Sequence, residues 1–292
     1  MINFSIIIPV YNEGNVIRDI INEIRKTLTE VFPQGDYEII VVNDGSTDQS
    51  YEILKEIVGI KLINNSYNKG YGASIKSAAR NAKNEWLIWF DADGQHKPEY
   101  IKKLVKEAES GNYDMVVGER QKYKGPLLRQ PGKKILTWIS NYLMESKITD
   151  INSGLRIMKK QDFNRFAHLY PNSFSISTTI TLAFLKDGLN IKYIPIDLGQ
   201  RDKRTSKSTV KPLKHGWQTI LLILRVIMLF NPLKIFMPIC IILFLLGSIF
   251  SLYGVIVFGR FPISGALVLI ASLLIFFNGL LADQISTLRN KN

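Results

Sequence analysis

Two apolar stretches near the C-terminus constrain this chain more than anything else in it. From Ile235 to Phe258 (IFMPICIILFLLGSIFSLYGVIVF) there is no charged residue, and a second apolar run extends from Ile263 to Ala282. A hydrocarbon core of about 30 Å is crossed by roughly 20 helical residues, so each run is long enough to span. The four residues between them, Gly259-Arg260-Phe261-Pro262, leave room only for a tight hairpin. The expectation is a two-helix membrane anchor over 232–292, with spans of about 235–258 and 263–282.

Charge places the rest of the chain relative to that anchor. The net charge is +12. Lys234, Arg260, Arg289 and Lys291 are the basic residues after Pro232, and Asp283 is the acidic one. Lys211, Lys214, Arg225 and Lys234 lie on the side of the large N-terminal region, Arg289 and Lys291 lie in the tail, and the hairpin carries Arg260 alone. Excess positive charge at the flanks is retained in the cytoplasm, so both termini and the N-terminal region are expected there. The opening MINFSIIIPVYNEG has a short apolar run, no basic segment before it and no small-residue cleavage site after it, unlike a secretion signal. A basic surface suits anionic lipid or phosphorylated substrates, and the spans favour those over nucleic acid. Cys240 is the single cysteine and lies in the first span, which excludes an internal disulfide and a cysteine-based metal site.

Residues 1–119 alternate between strand-like and helix-like segments. Strands are expected at Phe4–Val10, Tyr37–Asn43, Ile60–Asn64, Trp86–Phe90 and Met115–Gly118, and helices at Val16–Phe32, Tyr51–Val58, Ala73–Ala82 and Tyr100–Ser110. The strands are continuous apolar runs rather than alternating ones, as in parallel sheets covered on both faces. The fold class expected is α/β, a mostly parallel, Rossmann-like sheet over residues 1–210. Juxtamembrane helices follow over 211–231. Ile135–Met144 is an amphipathic stretch that suits a bilayer surface and a helix packed on the domain equally well, and Trp217–Phe230 reads as an interfacial helix.

Ligands of such sheets bind beyond the carboxyl ends of the strands. The polar clusters fall at those ends: Tyr11-Asn12-Glu13 after the first strand, Asp44-Gly45-Ser46-Thr47-Asp48 after the second, Asp91-Ala92-Asp93-Gly94-Gln95 after the fourth. Any one of them alone reads equally well as a capped turn, and for Asp48 a cap is at least as good an account as a ligand role. Three acidic clusters at one sheet edge point to a site. Asp91 and Asp93 can present hard oxygens to a divalent cation, Gln95 adds a neutral oxygen, and a diphosphate can complete the shell of Mg²⁺ or Mn²⁺. His96 reads as a turn residue.

The segments Pro9-Val10-Tyr11-Asn12-Glu13, Val42-Asn43-Asp44-Gly45-Ser46-Thr47-Asp48, Asn68-Lys69-Gly70 and Asp91-Ala92-Asp93-Gly94-Gln95-His96 together resemble the family 2 glycosyltransferases of GT-A fold. Within that family the similarity is greatest to the dolichyl- or polyprenyl-phosphate hexose synthases. Asp150-Ile151-Asn152-Ser153-Gly154-Leu155-Arg156 and the two spans resemble its integral-membrane members. The resemblance implies that Pro9, Tyr11, Glu13, Asp44 and Lys69 hold the donor nucleotide, with Glu13 on ribose hydroxyls and Asp44 on the base. It implies that Asp93 and Gln95 bind the metal, and that Asp91, which sits beside the donor, is a third metal residue. Asp91, Asp93 and Arg129 would be the catalytic set.

The basic residues follow a separate logic. A phosphate monoester carries about −1.5 to −2 charges near neutral pH, so a lipid-phosphate acceptor needs cations rather than a general base. Arginine suits bidentate contact best. Arg120, Arg129, and the run Arg201-Asp202-Lys203-Arg204-Thr205-Ser206-Lys207 are candidates, and the resemblance singles out Arg120, Arg129, Arg201 and Lys207. The family's basic loop usually has a glycine before its Ser-Lys, which is missing here. The Gln-x-x-Arg-Trp motif of processive relatives is also absent, which favours transfer of a single sugar.

The expected function is therefore inverting transfer of one hexose from a nucleotide sugar of GDP-mannose or UDP-glucose type to a polyprenyl or dolichyl phosphate at a bilayer. Self-association through the spans is compatible with it. Two other readings keep the donor site: transfer to another membrane lipid or saccharide, and a non-catalytic nucleotide-sugar-binding subunit.

Overall fold

The computed structural model describes residues 2–33, 37–121, 149–173, 175–199, 228 and 231–291. The chain divides into two compact units, Met1–Gly216 and Trp217–Asn292.

Among the described residues, the first unit is built on a seven-stranded sheet. Its strands are β1 (Phe4–Val10), β2 (Tyr37–Asp44), β3 (Lys61–Asn65), β4 (Trp86–Trp89), β5 (Met115–Gln121), β6 (Arg156–Lys159) and β7 (Ile191–Asp197). Between them run α1 (Ile17–Val31), α2 (Ser50–Lys55), α3 (Tyr71–Asn81), α4 (Glu99–Ser110), α5 (Lys160–Arg165) and α6 (Ile176–Lys186), with a short 3₁₀ turn at Ala167–Leu169. The spatial order is β3-β2-β1-β4-β6-β5-β7. The pairs β1–β2, β1–β4, β2–β3 and β5–β7 are parallel, whereas β6 runs antiparallel to both β4 and β5. This is the GT-A-like arrangement expected, with one reversed strand inserted between β4 and β5.

The strand sequences follow from their burial. Successive residues of β1 point to opposite faces, yet Phe4, Ile6, Ile7 and Ile8 are all fully buried, and the one polar residue among them, the buried Ser5, donates its hydroxyl to Glu38. α1 turns Ile17, Ile20, Ile21, Ile24 and Leu28 onto the sheet, the spacing of one helical face. Each such side chain contributes about 1.5–3 kcal/mol by leaving water. α1 and α4 share a core with Phe4, Ile6, Ile8, Ile39, Val41, Ile88 and Phe90. α2 stops at Lys55, short of the expected Val58, and Gly59 turns the chain into β3 with a φ of 76°.

Among the described residues, the second unit contains a helical hairpin of α7 (Leu233–Phe258) and α8 (Ile263–Lys291). The stretches Leu233–Phe258 and Ile263–Leu288 are both long and apolar enough to cross a membrane. α8 thus continues past the expected end at Ala282. Small residues line the contact: Gly247, Ser251 and Gly254 are the buried positions of α7. Gly247 packs on Leu269, Gly265 on Ser251 and Gly279 on Phe236, and Ser272 donates its hydroxyl to the Cys240 carbonyl at 3.0 Å. Close backbone approach through small residues is how helices associate where no water is available to drive them together.

Candidate active site

Parallel register brings the carboxyl ends of β1, β2, β3 and β4 to one edge, with Val10 opposite Asn43 and Asp44 opposite Asn65. The reversed β6 starts at that edge, so the segment 150–155 that leads into it arrives beside Asp91. Trp89 pairs with Arg156, and counting outward in antiparallel register sets Asp91 against Gly154. A Cβ built on Gly154 would lie 1.9 Å from Asp91 Oδ2. Only glycine lets the backbone come so close to that carboxylate.

The loops after β1 and β2 are laced together. Asn12, at a φ of 58°, accepts from the Thr47 N–H at 2.8 Å, and its own N–H donates to Ser46 Oγ at 3.0 Å. The N–H of Glu13 donates to Ser50 Oγ, and that of Gly14 to Asp48 Oδ2. Asp48 also accepts from the Ser50 N–H at 2.9 Å, which is the cap-like role weighed for it. Burial pushes its carboxyl up, but the bonds from Ser50 and Gly14 outweigh that and hold it below the usual range. Pro9 lies within β1, Tyr11 is exposed beyond it, and Glu13 is buried.

Asp44 is buried and spends its carboxylate on the protein. Oδ1 accepts from Asn65 Nδ2 and the Lys69 N–H, each at 2.9 Å, and Oδ2 from the Gly70 N–H at 2.8 Å. These bonds fix the loop before α3. Gly70, at a φ of 101°, packs on the Asn172 carbonyl, which also accepts from the Gly72 and Ala73 N–H groups at the start of α3. Lys69 stands over the Tyr67 ring and lines a cavity of about 400 Å³ together with Asn65, Lys76, Arg80 and Asn172.

Asp91 is seated between three groups. Tyr71 donates its hydroxyl to Oδ1 at 2.8 Å, His96 Nε2 stands 3.8 Å from Oδ2, and Gly154 closes the remaining side. Burial raises the carboxyl, but His96, Tyr71 and the charge of Arg120 together bring it below the usual carboxylate range. Burial and the charge of Asp91 push the Tyr71 phenol well above its usual value. His96 is buried edge-on to Phe90, with Nδ1 lacking a hydrogen-bond partner.

Asp93 Oδ1 accepts from the Gln95 backbone N–H at 3.1 Å, which closes a turn between the two residues. Among the described residues no three His, Cys, Asp or Glu side chains converge as a metal cage. Asp93 and Gln95 fit a cation that takes its remaining oxygens from diphosphate and water, as Mg²⁺ and Mn²⁺ do. Arg120, near the end of β5, forks onto Asp150 through Nε and Nη2. Arg129, Arg201 and Lys207, three of the four expected acceptor-phosphate residues, lie outside the described residues.

Several site residues carried no individual signal in the sequence. Tyr71 follows the Asn68-Lys69-Gly70 motif directly and precedes the helix expected from Ala73, whereas in the structure it is the first residue of α3. Arg156 is fully buried on β6, bonded to the Ser153 and Ser177 carbonyls and Thr181 Oγ1, with its guanidinium over the Trp89 ring at 5.3 Å. Burial lowers its pKa, offset in part by Tyr193, Tyr71 and Asp150.

Comparisons with known proteins agree with this geometry. A family model described as "Glycosyl transferase family 2" matches residues 5–171, and one described as "GtrB C-terminal hairpin" matches residues 231–288. The chain is 29% identical to the UDP-N-acetylglucosamine–dolichyl-phosphate N-acetylglucosaminyltransferase of Methanococcus voltae, over 65% of this chain and 83% of that protein. It is 28% identical to the undecaprenyl-phosphate 4-deoxy-4-formamido-L-arabinose transferase of Edwardsiella ictaluri, over 70% of this chain but 62% of that longer protein. Among solved structures, glucosyl-3-phosphoglycerate synthase from Mycobacterium tuberculosis, in complex with Mn²⁺, UDP and its product, superposes with a TM-score of 0.59. The identity there is 15%, with 77% of this chain and 80% of the other covered, so that likeness is one of fold.

Proposed function

The chain belongs to glycosyl transferase family 2 and is a glycosyltransferase, and from that premise we propose that it moves a single hexose from a nucleotide sugar to a polyprenyl or dolichyl phosphate at a membrane. One observation carries the choice of acceptor. Asp44, Asp91 and Asp150 each spend their carboxylates on groups of the protein itself, and Asp91 is held below the usual carboxylate range. Such carboxylates are poor bases for an acceptor hydroxyl. A phosphate monoester arrives already anionic and needs no base. The names of the Methanococcus and Edwardsiella relatives, both lipid-phosphate transferases, support the same reading.

In this account Pro9, Tyr11, Glu13, Asp44 and Lys69 hold the donor nucleotide, of GDP-mannose or UDP-glucose type. Asp93 and Gln95 bind Mg²⁺ or Mn²⁺, with Asp91 beside the donor. The cation, when bound, offsets the charge that builds on the departing diphosphate. Arg120, kept in one orientation by Asp150, draws the acceptor phosphate toward the edge, aided by Arg129, Arg201 and Lys207. Attack opposite the leaving diphosphate inverts the anomeric carbon, and most of the rate comes from orientation and electrostatics. α7 and α8 anchor the enzyme, with the catalytic unit and both termini on the cytoplasmic side.

The test offers the purified chain one nucleotide sugar with either short-chain polyprenyl phosphate or the matching unphosphorylated polyprenol. Product from the phosphate alone supports the reading. Product from the alcohol at a comparable rate overturns it.

A further inference from the structure

Tyr71 links the two ends of the donor site. Asp44 grips the N–H groups of Lys69 and Gly70, and the next residue sends its hydroxyl to Asp91 Oδ1 at 2.8 Å. The strap is held from its other side as well, by the Asn172 carbonyl on the Gly72 and Ala73 N–H groups. Tyr71 therefore has little freedom to follow Asp91 if that carboxylate moves. Gly154 and His96 meet Oδ2. Asp93, two residues on, turns its Oδ1 to the Gln95 N–H instead.

We propose that Tyr71 is a positioning residue: its hydroxyl, acting against the Gly154 backbone, keeps the Asp91 carboxylate out of the metal's shell and turned toward the donor. This rests on the reading of Asp93 and Gln95 as the protein's metal ligands. Without the hydroxyl, Oδ1 loses its donor inside a half-buried site. A divalent cation bound at Asp93 is the strongest replacement partner for a hard carboxylate oxygen. Asp91 then swings to the metal, so the cation is held more tightly while the donor is held in the wrong geometry. A purely structural role for Tyr71 would loosen both.

The experiment titrates Mn²⁺ into the full-length protein in detergent, by electron paramagnetic resonance, in separate titrations with saturating UDP and with saturating GDP. Transfer rates are measured alongside. For Tyr71→Phe the expected result is several-fold tighter Mn²⁺ binding, with kcat lower by about tenfold and the donor KM little changed, the size of one lost hydrogen bond to a charge. Weaker Mn²⁺ binding, or unchanged binding, overturns the proposal. On an Asp91→Ala background, adding Tyr71→Phe is expected to change neither quantity, and a further fall in rate overturns it. Gly154→Ala pushes the same carboxylate from the opposite side and supplies an independent reading should Tyr71→Phe fold poorly. Tighter Mn²⁺ is expected there too, and weaker or unchanged binding counts against the proposal. Should wild-type protein transfer no sugar, the proposed function falls, while the Mn²⁺ titrations still decide the role of Tyr71.

Discussion

Arg120 meets Asp150 through a two-pronged ion pair, Nε to Oδ2 at 2.6 Å and Nη2 to Oδ1 at 2.7 Å, with the Asp150 side chain almost wholly buried. The backbone N–H of Arg120 donates to the same carboxylate at 3.3 Å. This pair ties the end of β5 to the segment that leads into β6. Asp150→Ala would take this two-pronged partner away from a mostly buried cation, a loss of roughly 3–5 kcal/mol. A marked drop in thermal stability is expected, together with slower transfer. Asp150→Asn retains part of the hydrogen bonding and is expected to fall between the two.

The strap before α3 supplies a second prediction. Gly70 combines a φ of 101° with a would-be Cβ 2.3 Å from the Asn172 carbonyl oxygen. Gly70→Ala must therefore move the loop, at about 1–3 kcal/mol for the backbone conformation alone. Because Asp44 reads this loop through its amides, donor affinity is expected to fall with stability. Calorimetric titration with the nucleoside diphosphate measures the first, and thermal unfolding the second.

Asp162, in the first turn of α5, predicts a pH dependence of stability. Its Oδ2 is buried without a hydrogen bond, and burial followed by the charge of Asp114 raises its pKa. A raised carboxyl binds its proton more tightly in the folded state than in the unfolded one. Stability from this group is therefore present below the unfolded value of 3.8 and is lost as pH rises through the folded value. Asp162→Asn is expected to be more stable than wild type at pH 7, and to lose that advantage near pH 3.8. Unfolding midpoints across pH 3.5–7.5, an interval of about four units chosen to bracket the titration, measure the difference.

In the hairpin, Gly265 faces Ser251 so closely that a Cβ would lie 2.3 Å from Ser251 Oγ. Gly265→Leu adds helix propensity of about 1 kcal/mol. Overpacking is expected to cost more, about 1–3 kcal/mol, by forcing α7 and α8 apart. The detergent-solubilised protein should melt at a lower temperature, with the sugar-transferring unit itself unaltered.

The sequence disclosed elements according to how uniformly they are buried. β1, β2 and β4 are apolar on both faces and stand out as unbroken runs, and the acidic residues after them mark the sheet edge. β6 and β7 were not legible. β6 is four residues long and opens with a fully buried arginine, so the charge interrupts the pattern that would identify a strand. β7 mixes Lys192, Tyr193, Pro195 and Asp197 into an edge strand whose burial is partial. Asp93 and Gln95 stand out in the sequence as candidate metal ligands because metal chemistry favours their residue types. The sequence assigns Tyr71 no role and Gly154 only a place in the Asp150–Arg156 stretch, since a hydroxyl aimed at Asp91 and a missing Cβ beside it become meaningful only when the start of α3 and the segment before reversed β6 meet that carboxylate. The two apolar runs of the hairpin are legible by their length, whereas the extension of α8 past Asp283 is not, because the charge ends the apolar pattern while the helix continues.

The most direct measurement of the central claim is transfer of radiolabelled sugar to short-chain polyprenyl phosphate by the purified protein. GDP-mannose, UDP-glucose, UDP-galactose and UDP-N-acetylglucosamine would be offered in turn, with Mg²⁺ or Mn²⁺ and then with EDTA. The account predicts that label from one donor enters the organic phase in a metal-dependent way, and that Asp93→Ala abolishes it. Label that stays in the aqueous phase with every donor, while one of those donors binds, would contradict it.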